Sequence, residues 1–274
     1  MTTPSGEDIW STVRGEAERD VTVEPMLAGF LYETVLRHDS LEDALATILA
    51  SKLDGPLMPA QAVHDLVFTA FSDDARIGAA VRADLTAVVT RDPACRGYTQ
   101  PLLYFKGFHA VQAYRVAHHY WAEHEPLALY LQSRISEVFA VDIHPAARIG
   151  KGIMLDHATS VTIGATAVVD DDVSMLHEVT LGGTGHVAGD RHPKIRRGVL
   201  IGAGAKVLGN VVVGECARVA AGSVVLKDVD PHTTVAGIPA KVVGVRHAGS
   251  EPALEMDQTF DDPDERIARL DFSI

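Results

Sequence analysis

Four short segments concentrate the side chains that could do chemistry: Asp156 and His157 in LDHAT, Asp142 in VDIHP, Arg191 and His192 in GDRHPKI, and Asp92 in RDPA. An imidazole, with an ordinary pKa of about 6.5, is the side chain best suited to take a proton near neutral pH. Deprotonating a hydroxyl requires such a base within hydrogen-bond reach. A guanidinium can grip a carboxylate through two parallel hydrogen bonds, and aspartates can hold a cation. Taken singly, these residues read as polar groups of turns and loops, so their meaning depends on what positions them. His118, His119 and His124 form a second histidine group, but it lacks the HExxH spacing and reads as a helix surface. No metal is expected.

The elements that must do the positioning change character near residue 140. Before it, apolar residues recur at helical spacing. Ser40 and Asp43 make a capping-box pattern ahead of Leu41, Leu45, Ile48 and Leu49, and Gly55-Pro56 follows. Ile77, Val81, Leu85 and Val88 describe a second helix that stops near Pro93. Phe108, Val111, Tyr114 and Val116 mark a third, and Leu127, Leu131, Ile135 and Val138 a fourth. After Val141 the period becomes six. Ile143, Ile149, Leu155, Val161, Ala167, Val173 and Val179 fall in one register, and Ile195, Ile201, Val207, Val213, Val219 and Val225 in another.

Neither helices nor hairpins produce a strict hexad, whereas a triangular solenoid does. Each hexad makes one flat side, three make a coil of about 18 residues, and the apolar residue points inward. The 16 residues between Val179 and Ile195 break the period, so a loop is expected over about 182–194. The segment PHTTVAGIPAKVVG is expected to close the last coil. The expected organisation is a helical domain over 1–140, a solenoid over 141–245 and an acidic, flexible tail over 246–274. Flat solenoid sides commonly associate about a threefold axis, which points to a trimer or a multiple of it.

Composition narrows the class. Of 274 residues 47% are hydrophobic and 22% charged, and no apolar run approaches the roughly 18 residues of a membrane span. The opening MTTPSGEDIW has no signal-peptide character, so a cytoplasmic location is expected. A formal charge of -13 argues against nucleic acid or an anionic membrane as partner. Two cysteines, Cys95 and Cys216, are too few for a disulfide framework. From Ser250 onward eight acidic residues face only Arg266 and Arg269, which reads as a solvated segment.

The runs VDIHPAARIGKGIMLDHATSVTIG, VTLGGTG, GDRHPKIRRGVLIGAGAKVLGN, AAGSVVLKDV and AGIPAKVVG resemble the hexapeptide-repeat serine acetyltransferases, as do RDPA and PLLYFKGFHAVQAYR. The likeness spans about residues 80 to 245. Ser160 stands where that family often has glycine, and Ala165 where it often has glutamate. The resemblance implies an α plus β-solenoid fold, with helices followed by a left-handed parallel β-helix. It also implies transfer of acetyl from acetyl-CoA to the hydroxyl of L-serine.

His157 then becomes the general base and Asp142 the carboxylate that orients it. Arg191 takes the serine carboxylate, Asp92 and Asp156 its ammonium, and His192, beside Arg191, is a further substrate contact. Gly182 or Gly183 offers a backbone N–H to the oxyanion. The extended pantetheine arm is expected along the coils at Gly183, Ala203, Gly204 and Ala221, with its phosphates toward Lys227 or Lys241. The resemblance further implies inhibition by L-cysteine, assembly as a trimer or hexamer, and docking of the C-terminal Ile274 on O-acetylserine sulfhydrylase. The competing readings are a hexapeptide acyltransferase for another acceptor and a non-catalytic scaffold for the sulfhydrylase.

Overall fold

Apolar side chains spaced three and four apart fold the chain up to residue 139 into helices. The computed structural model describes residues 6–185, 188–245 and 249–258. Its helices are α1 (Gly6–Val23), α2 (Ala28–Leu31), α3 (Leu41–Leu53), α4 (Ala60–Asp73), α5 (Ala75–Arg91), α6 (Thr99–Tyr104), α7 (Lys106–Trp121) and α8 (Glu125–Phe139). Ser40 caps α3, its Oγ accepting the Asp43 N–H at 3.2 Å. The apolar stripes expected on α3, α5 and α7 are buried throughout. On α8, Leu131 and Ile135 are buried but Val138 is exposed and Phe139 takes the inward place. The helix ends there at left-handed Ala140, where the chain turns into the solenoid. α4, unassigned from sequence, buries Val63, Val67, Ala70 and Phe71.

Between α7 and α8, Phe108 and Phe139 pack on His109, whose exposure is 0%. Nε2 of His109 donates to Leu102 O at 2.8 Å, and Nδ1 has no partner. Burial brings its pKa down to about 4, with the Leu102 hydrogen bond opposing and the Lys52 charge adding to the effect. Between pH 6.5 and that value the unfolded chain binds a proton that the folded chain refuses. The stability contributed by neutral His109 is therefore complete above about pH 6.5 and lost as pH falls toward 4. His109→Gln should lose about 3 kcal/mol less stability than wild type between about pH 7 and pH 4 in denaturant unfolding. Equal losses would remove His109 from the acid sensitivity.

From Val141 the chain climbs as a three-sided parallel solenoid. Its first strands are β1 (Val141–Ile143), β2 (Arg148–Ile149), β3 (Met154–Leu155), β4 (Val161–Ile163), β5 (Val168–Val169), β6 (Ser174–Met175) and β7 (Thr180–Gly182). After a loop come β8 (Lys194–Ile195), β9 (Leu200–Ile201), β10 (Lys206–Leu208), β11 (Val212–Val213), β12 (Arg218–Val219), β13 (Val224–Val225), β14 (Thr233–Ala236) and β15 (Lys241–Val245). They stack into a five-stranded face β1-β4-β7-β10-β13, a four-stranded face β2-β5-β8-β11 and a six-stranded face β3-β6-β9-β12-β14-β15. β15 folds back antiparallel on β14 and forms the edge of that last face. Twelve of the thirteen hexad residues are buried, and Ile149 is half-buried against the core.

The first hexad series is two rows rather than one register. Ile143 pairs with Ile163 and Leu155 with Met175, a step of 20 residues, whereas Ile163 pairs with Leu181, a step of 18. Two extra residues therefore lie between β3 and β4. Side chains alternate along a strand, so every side of the prism has two inward rows. The series crosses from the row of Ile143, Ile149 and Leu155 to the neighbouring row of Val161, Ala167, Val173 and Val179, keeping its period. The interruption after Val179 is larger. Val169 pairs with Ile195, a step of 26, and the eight additional residues leave between β7 and β8.

Two buried arginines dock the helices on the first coil. Asp84, with 0% exposure, accepts from Arg115 Nη2 at 2.6 Å, from Gln112 Nε2 at 2.9 Å and from the Ile153 N–H at 2.8 Å. Arg115 also donates to Gly150 O at 2.7 Å, while Arg91 donates to Gly152 O at 2.9 Å and Ser174 Oγ at 3.1 Å. Such a pair, fully hydrogen-bonded, fixes orientation, and removing one partner leaves an uncompensated buried charge.

The segment after Ser250 corrects an expectation. Instead of a solvated stretch, residues 251–257 pack on the six-stranded face as a short helix, α9 (Pro252–Glu255), and its extension. Pro252 and Ala253 are buried there. Ala253 O accepts from Ser174 Oγ at 2.8 Å, and Asp257 O accepts from Arg218 Nη1 at 2.7 Å. Two small apolar residues cover the face, and the backbone satisfies polar groups beneath it. Ile274 lies outside the described residues.

Candidate active site

The five-stranded face has two edges, and the candidate residues divide between them. At the edge shared with the six-stranded face, the two extra residues bulge the corner after β3. His157, Ala158 and Ser160 all adopt left-handed φ, at 56°, 57° and 61°. The corner is nonetheless pinned, with Asp156 N–H on Met175 O at 2.8 Å and Ser160 N–H on Ala140 O at 2.7 Å. The result is a ring presented to solvent. The His157 side chain is 77% exposed, and its Nε2 lies 3.9 Å from Asp156 Oδ1.

The helical domain closes over this corner. A Cβ on Gly107, near the start of α7, would sit 2.1 Å from Leu155 O, so only glycine allows that approach. Lys106, beside it, contacts Thr159 Oγ1. Asp92 ends α5 directly after the buried Arg91, is half-buried, and accepts the Ala94 N–H at 2.8 Å. Arg91's bonds to Gly152 and Ser174 thus hold Asp92 at the end of the six-stranded face where Asp156 also lies.

Along the same edge runs a column of backbone corners. Glu178 N–H donates to Thr159 O at 2.7 Å, Gly204 N–H to His177 O at 2.9 Å, and Gly222 N–H to Ala203 O at 2.7 Å. Successive steps of 18, 26 and 18 residues therefore align Thr159, His177, Ala203 and Ala221, with Gly204 beside Ala203. Three expected coenzyme contacts thus stand on the edge that carries His157. Lys227 and Lys241 are exposed in the last coils.

The other edge, shared with the four-stranded face, carries the loop between β7 and β8. Thr166 Oγ1 accepts the N–H groups of Arg191 and His192 at 3.0 and 3.1 Å, and the Thr166 N–H donates to His192 Nδ1 at 3.2 Å. Accepting at Nδ1 leaves the proton of the neutral ring on Nε2. Burial, then the charges of Arg191, Lys194 and nearby His144, push the His192 pKa down, so this neutral form dominates near pH 7. Gly183 belongs here, because a Cβ on it would lie 3.2 Å from the Arg191 side chain. Among the expected coenzyme contacts, Gly183 therefore stands apart from Ala203, Gly204 and Ala221.

The His192 ring lies against Gly164, where an added Cβ would come within 2.0 Å of Nε2. Gly164→Ala should displace that ring and raise the KM for the carboxylate-bearing substrate by roughly tenfold or more, with little change in Tm, since the clash is with one side chain at a corner. An unchanged KM would show that His192 does not bind substrate.

Asp142 lies on β1 of the five-stranded face itself. Its Oδ1 accepts from Gln132 Nε2 at 2.7 Å, and no hydrogen bond or ion pair joins it to His157 within the chain. Its charge does act on His144, raising a pKa that burial lowers. His144, Thr166 and His177 were not singled out from sequence. His144 was present in VDIHP, and His177 falls in line with Ala203 once the eight-residue excursion is subtracted.

A single chain does not unite the two groups. The edges are separated by about five residues of extended chain, roughly 16 Å at about 3.3 Å per residue. The hydroxyl and carboxylate of one amino acid lie only about 4 Å apart. Among the described residues, no group of three His, Cys, Asp or Glu side chains is arranged to hold a metal.

Comparison with known proteins bears on the fold that carries these residues. The family described as "Serine acetyltransferase, N-terminal" matches residues 9–113, and "Bacterial transferase hexapeptide (six repeats)" matches residues 192–227. A serine acetyltransferase of Salmonella typhimurium is 53% identical over 255 residues, 93% of each chain. Among solved structures, a serine acetyltransferase in complex with cysteine superposes with a TM-score of 0.91 at 49% identity, covering 93% of this chain and all of the other. The Brucella abortus enzyme with coenzyme A gives 0.86 at 50% identity, covering 87% and 96%. Soybean serine acetyltransferase with serine gives 0.85 at 56% identity, covering 88% and 100%. With a helical domain and a hexad solenoid that both match along nearly their whole length, this chain belongs to the serine acetyltransferase family.

Proposed function

We propose that the chain transfers the acetyl group of acetyl-CoA to the hydroxyl of L-serine, at sites each completed by two copies. The observation that carries this reading is the division of the candidate residues between two edges of one face. His157, Asp156, Asp92 and the column of Ala203, Gly204 and Ala221 come from one copy. Arg191, His192 and Gly183 come from the neighbour around a threefold axis, in a trimer or a pair of trimers. Complexes of relatives with serine, cysteine and coenzyme A support the ligand assignment.

In this arrangement His157 takes the serine hydroxyl proton as its oxygen bonds the thioester carbon. Asp142, which has no bond to His157 within one chain, is brought to the imidazole in the assembly, where it orients the ring and favours its charged form. The carbonyl pair moves onto oxygen, where the Gly183 or Gly182 N–H stabilises it. Collapse breaks the C–S bond, and the His157 proton passes to the coenzyme A sulfur. Arg191 and neutral His192 hold the serine carboxylate, with Asp92 and Asp156 on the ammonium. L-cysteine offers the same charged groups and inhibits by occupying the same place.

The test is thiol release from acetyl-CoA with L-serine, homoserine or chloramphenicol as acceptor. Release with serine is expected. Release with either other acceptor and none with serine would select a different acyltransferase, and no release with any would leave the scaffold reading. We also place the protein in the cytoplasm; among the described residues no helix is long and apolar enough to cross a membrane. Its C-terminal Ile274, with a carboxylate beside an apolar side chain, is proposed to enter the pocket of O-acetylserine sulfhydrylase. Deleting it should abolish that binding in calorimetry and spare acetyl transfer; undiminished binding would place the contact elsewhere.

A further inference from the structure

Asp142 is held from a helix as well as from its own strand. Val141 and Ile143 point into the prism, so Asp142 between them points out from the five-stranded face. Left-handed Ala140 ends α8 and brings β1 against the helix it has just left. On α8 the buried stripe is Ala128, Leu131, Ile135 and Phe139. Gln132, four residues after Ala128 and three before Ile135, lies half-buried on the flank of that stripe. From there its Nε2 donates to Asp142 Oδ1 at 2.7 Å. Among the described residues this is the one hydrogen bond of the Asp142 side chain, and no ion pair reaches it. One carboxylate oxygen is thus engaged by a neutral donor and the other is left over.

We propose that Gln132 is a positioning residue, whose amide anchors Asp142 Oδ1 so that Oδ2 is left to accept from the His157 ring of the neighbouring copy. This rests on the reading of Asp142 as the carboxylate that orients the base. A carboxylate free to turn about its side-chain bonds meets an approaching ring in many poses, and anchoring one oxygen selects among them. The neutrality of the donor matters as much as its place. A guanidinium or ammonium there would bind Asp142 more strongly, but it would offset the negative charge that favours the imidazolium formed when serine gives up its proton. An amide fixes the carboxylate and leaves its charge. Gln132 moves no proton, and its effect passes through Asp142 alone, so the helical domain takes part in setting up the base on the solenoid.

The experiment is a double-mutant cycle on full-length assembled enzymes: wild type, Gln132→Met, Asp142→Ala and the two together. Gln132→Met, close in length and shape but without a donor, should lower kcat by roughly tenfold, with the KM for serine and the affinity for coenzyme A within about twofold. Asp142→Ala should lower kcat by roughly 10²-fold or more. The double variant decides. Adding Gln132→Met to Asp142→Ala should change kcat by less than about twofold, because no carboxylate remains to be placed, whereas a merely structural role would cost the same factor in both backgrounds. Gln132→Glu, which sets a like charge against Asp142, should be impaired at least as much as Gln132→Met. If Gln132→Met stays within about threefold of wild-type kcat while Asp142→Ala is impaired, or if the losses are equal in both backgrounds, the proposal falls and the reading of Asp142 stands. Asp142→Ala within about threefold of wild type would instead overturn that reading and the proposal with it. Should Gln132→Met fail to assemble, Gln132→Glu takes its place in the cycle: impairment only where Asp142 is present supports the proposal, and equal impairment without Asp142 overturns it.

Discussion

His157→Asn is expected to lower kcat by roughly 10²- to 10⁴-fold while the assembly and the affinity for acetyl-CoA stay nearly intact. Asparagine is the informative replacement. His157 holds φ at 56°, and Asn tolerates the left-handed region better than most side chains. His157→Ala removes the same imidazole but strains the corner by about 1 kcal/mol, too little to unfold a solenoid whose inward rows are untouched. Equal inactivity of the two variants would assign the loss to chemistry. A partly active Asn variant beside a dead Ala variant would assign it to the backbone. Steady-state kinetics with size-exclusion chromatography make the measurement, and activity of both within about threefold of wild type would remove His157 from the reaction.

The second large effect is a gain. His157→Ala and Arg191→Ala, each inactive by itself, should recover about a quarter of wild-type activity when the two chains are co-expressed and assembled together. In a ring where each site takes its base from one chain and its arginine from the next, a site is intact when the base half comes from the Arg191 variant and the other half from the His157 variant. Each has a chance of about one half in an equal mixture. Were both halves supplied by one chain, every site would carry a defect and the mixed assembly would stay inactive. Activity that appears on co-assembly and is absent on mixing preformed oligomers would exclude contamination by wild type.

How far the fold was legible depends on which physical rule wrote it. Residues such as Val173, Val207 and Val219 announce their inward direction because a side of the prism repeats every six residues. The loop after Val179 is equally visible, since 16 is no multiple of that period. The two-residue excess at Asp156–Ser160 was hidden, because Leu155 and Val161 remain six apart while belonging to different rows. Only strand pairing, a contact between distant residues, exposes it. For the same reason LDHAT could be recognised without its shape being known. Val138 and the segment around Ala253 were misjudged because their burial depends on what packs against them. The separation of His157 from Arg191 is also tertiary: nothing local to either motif says which edge of the prism it occupies.

The registers of this solenoid contain a rule of parity. Coils here advance by 20, 18, 26 or 16 residues, all even numbers. An even excess returns the chain to its strand with inward and outward positions unchanged, so a corner can be enlarged without altering the core by a single side chain. An odd excess would turn every following inward valine out to water unless a bulge restored the alternation. Corners of this prism are therefore sites where sequence can be added in pairs, and the exposed imidazole at 157 sits on the smallest such addition the architecture allows.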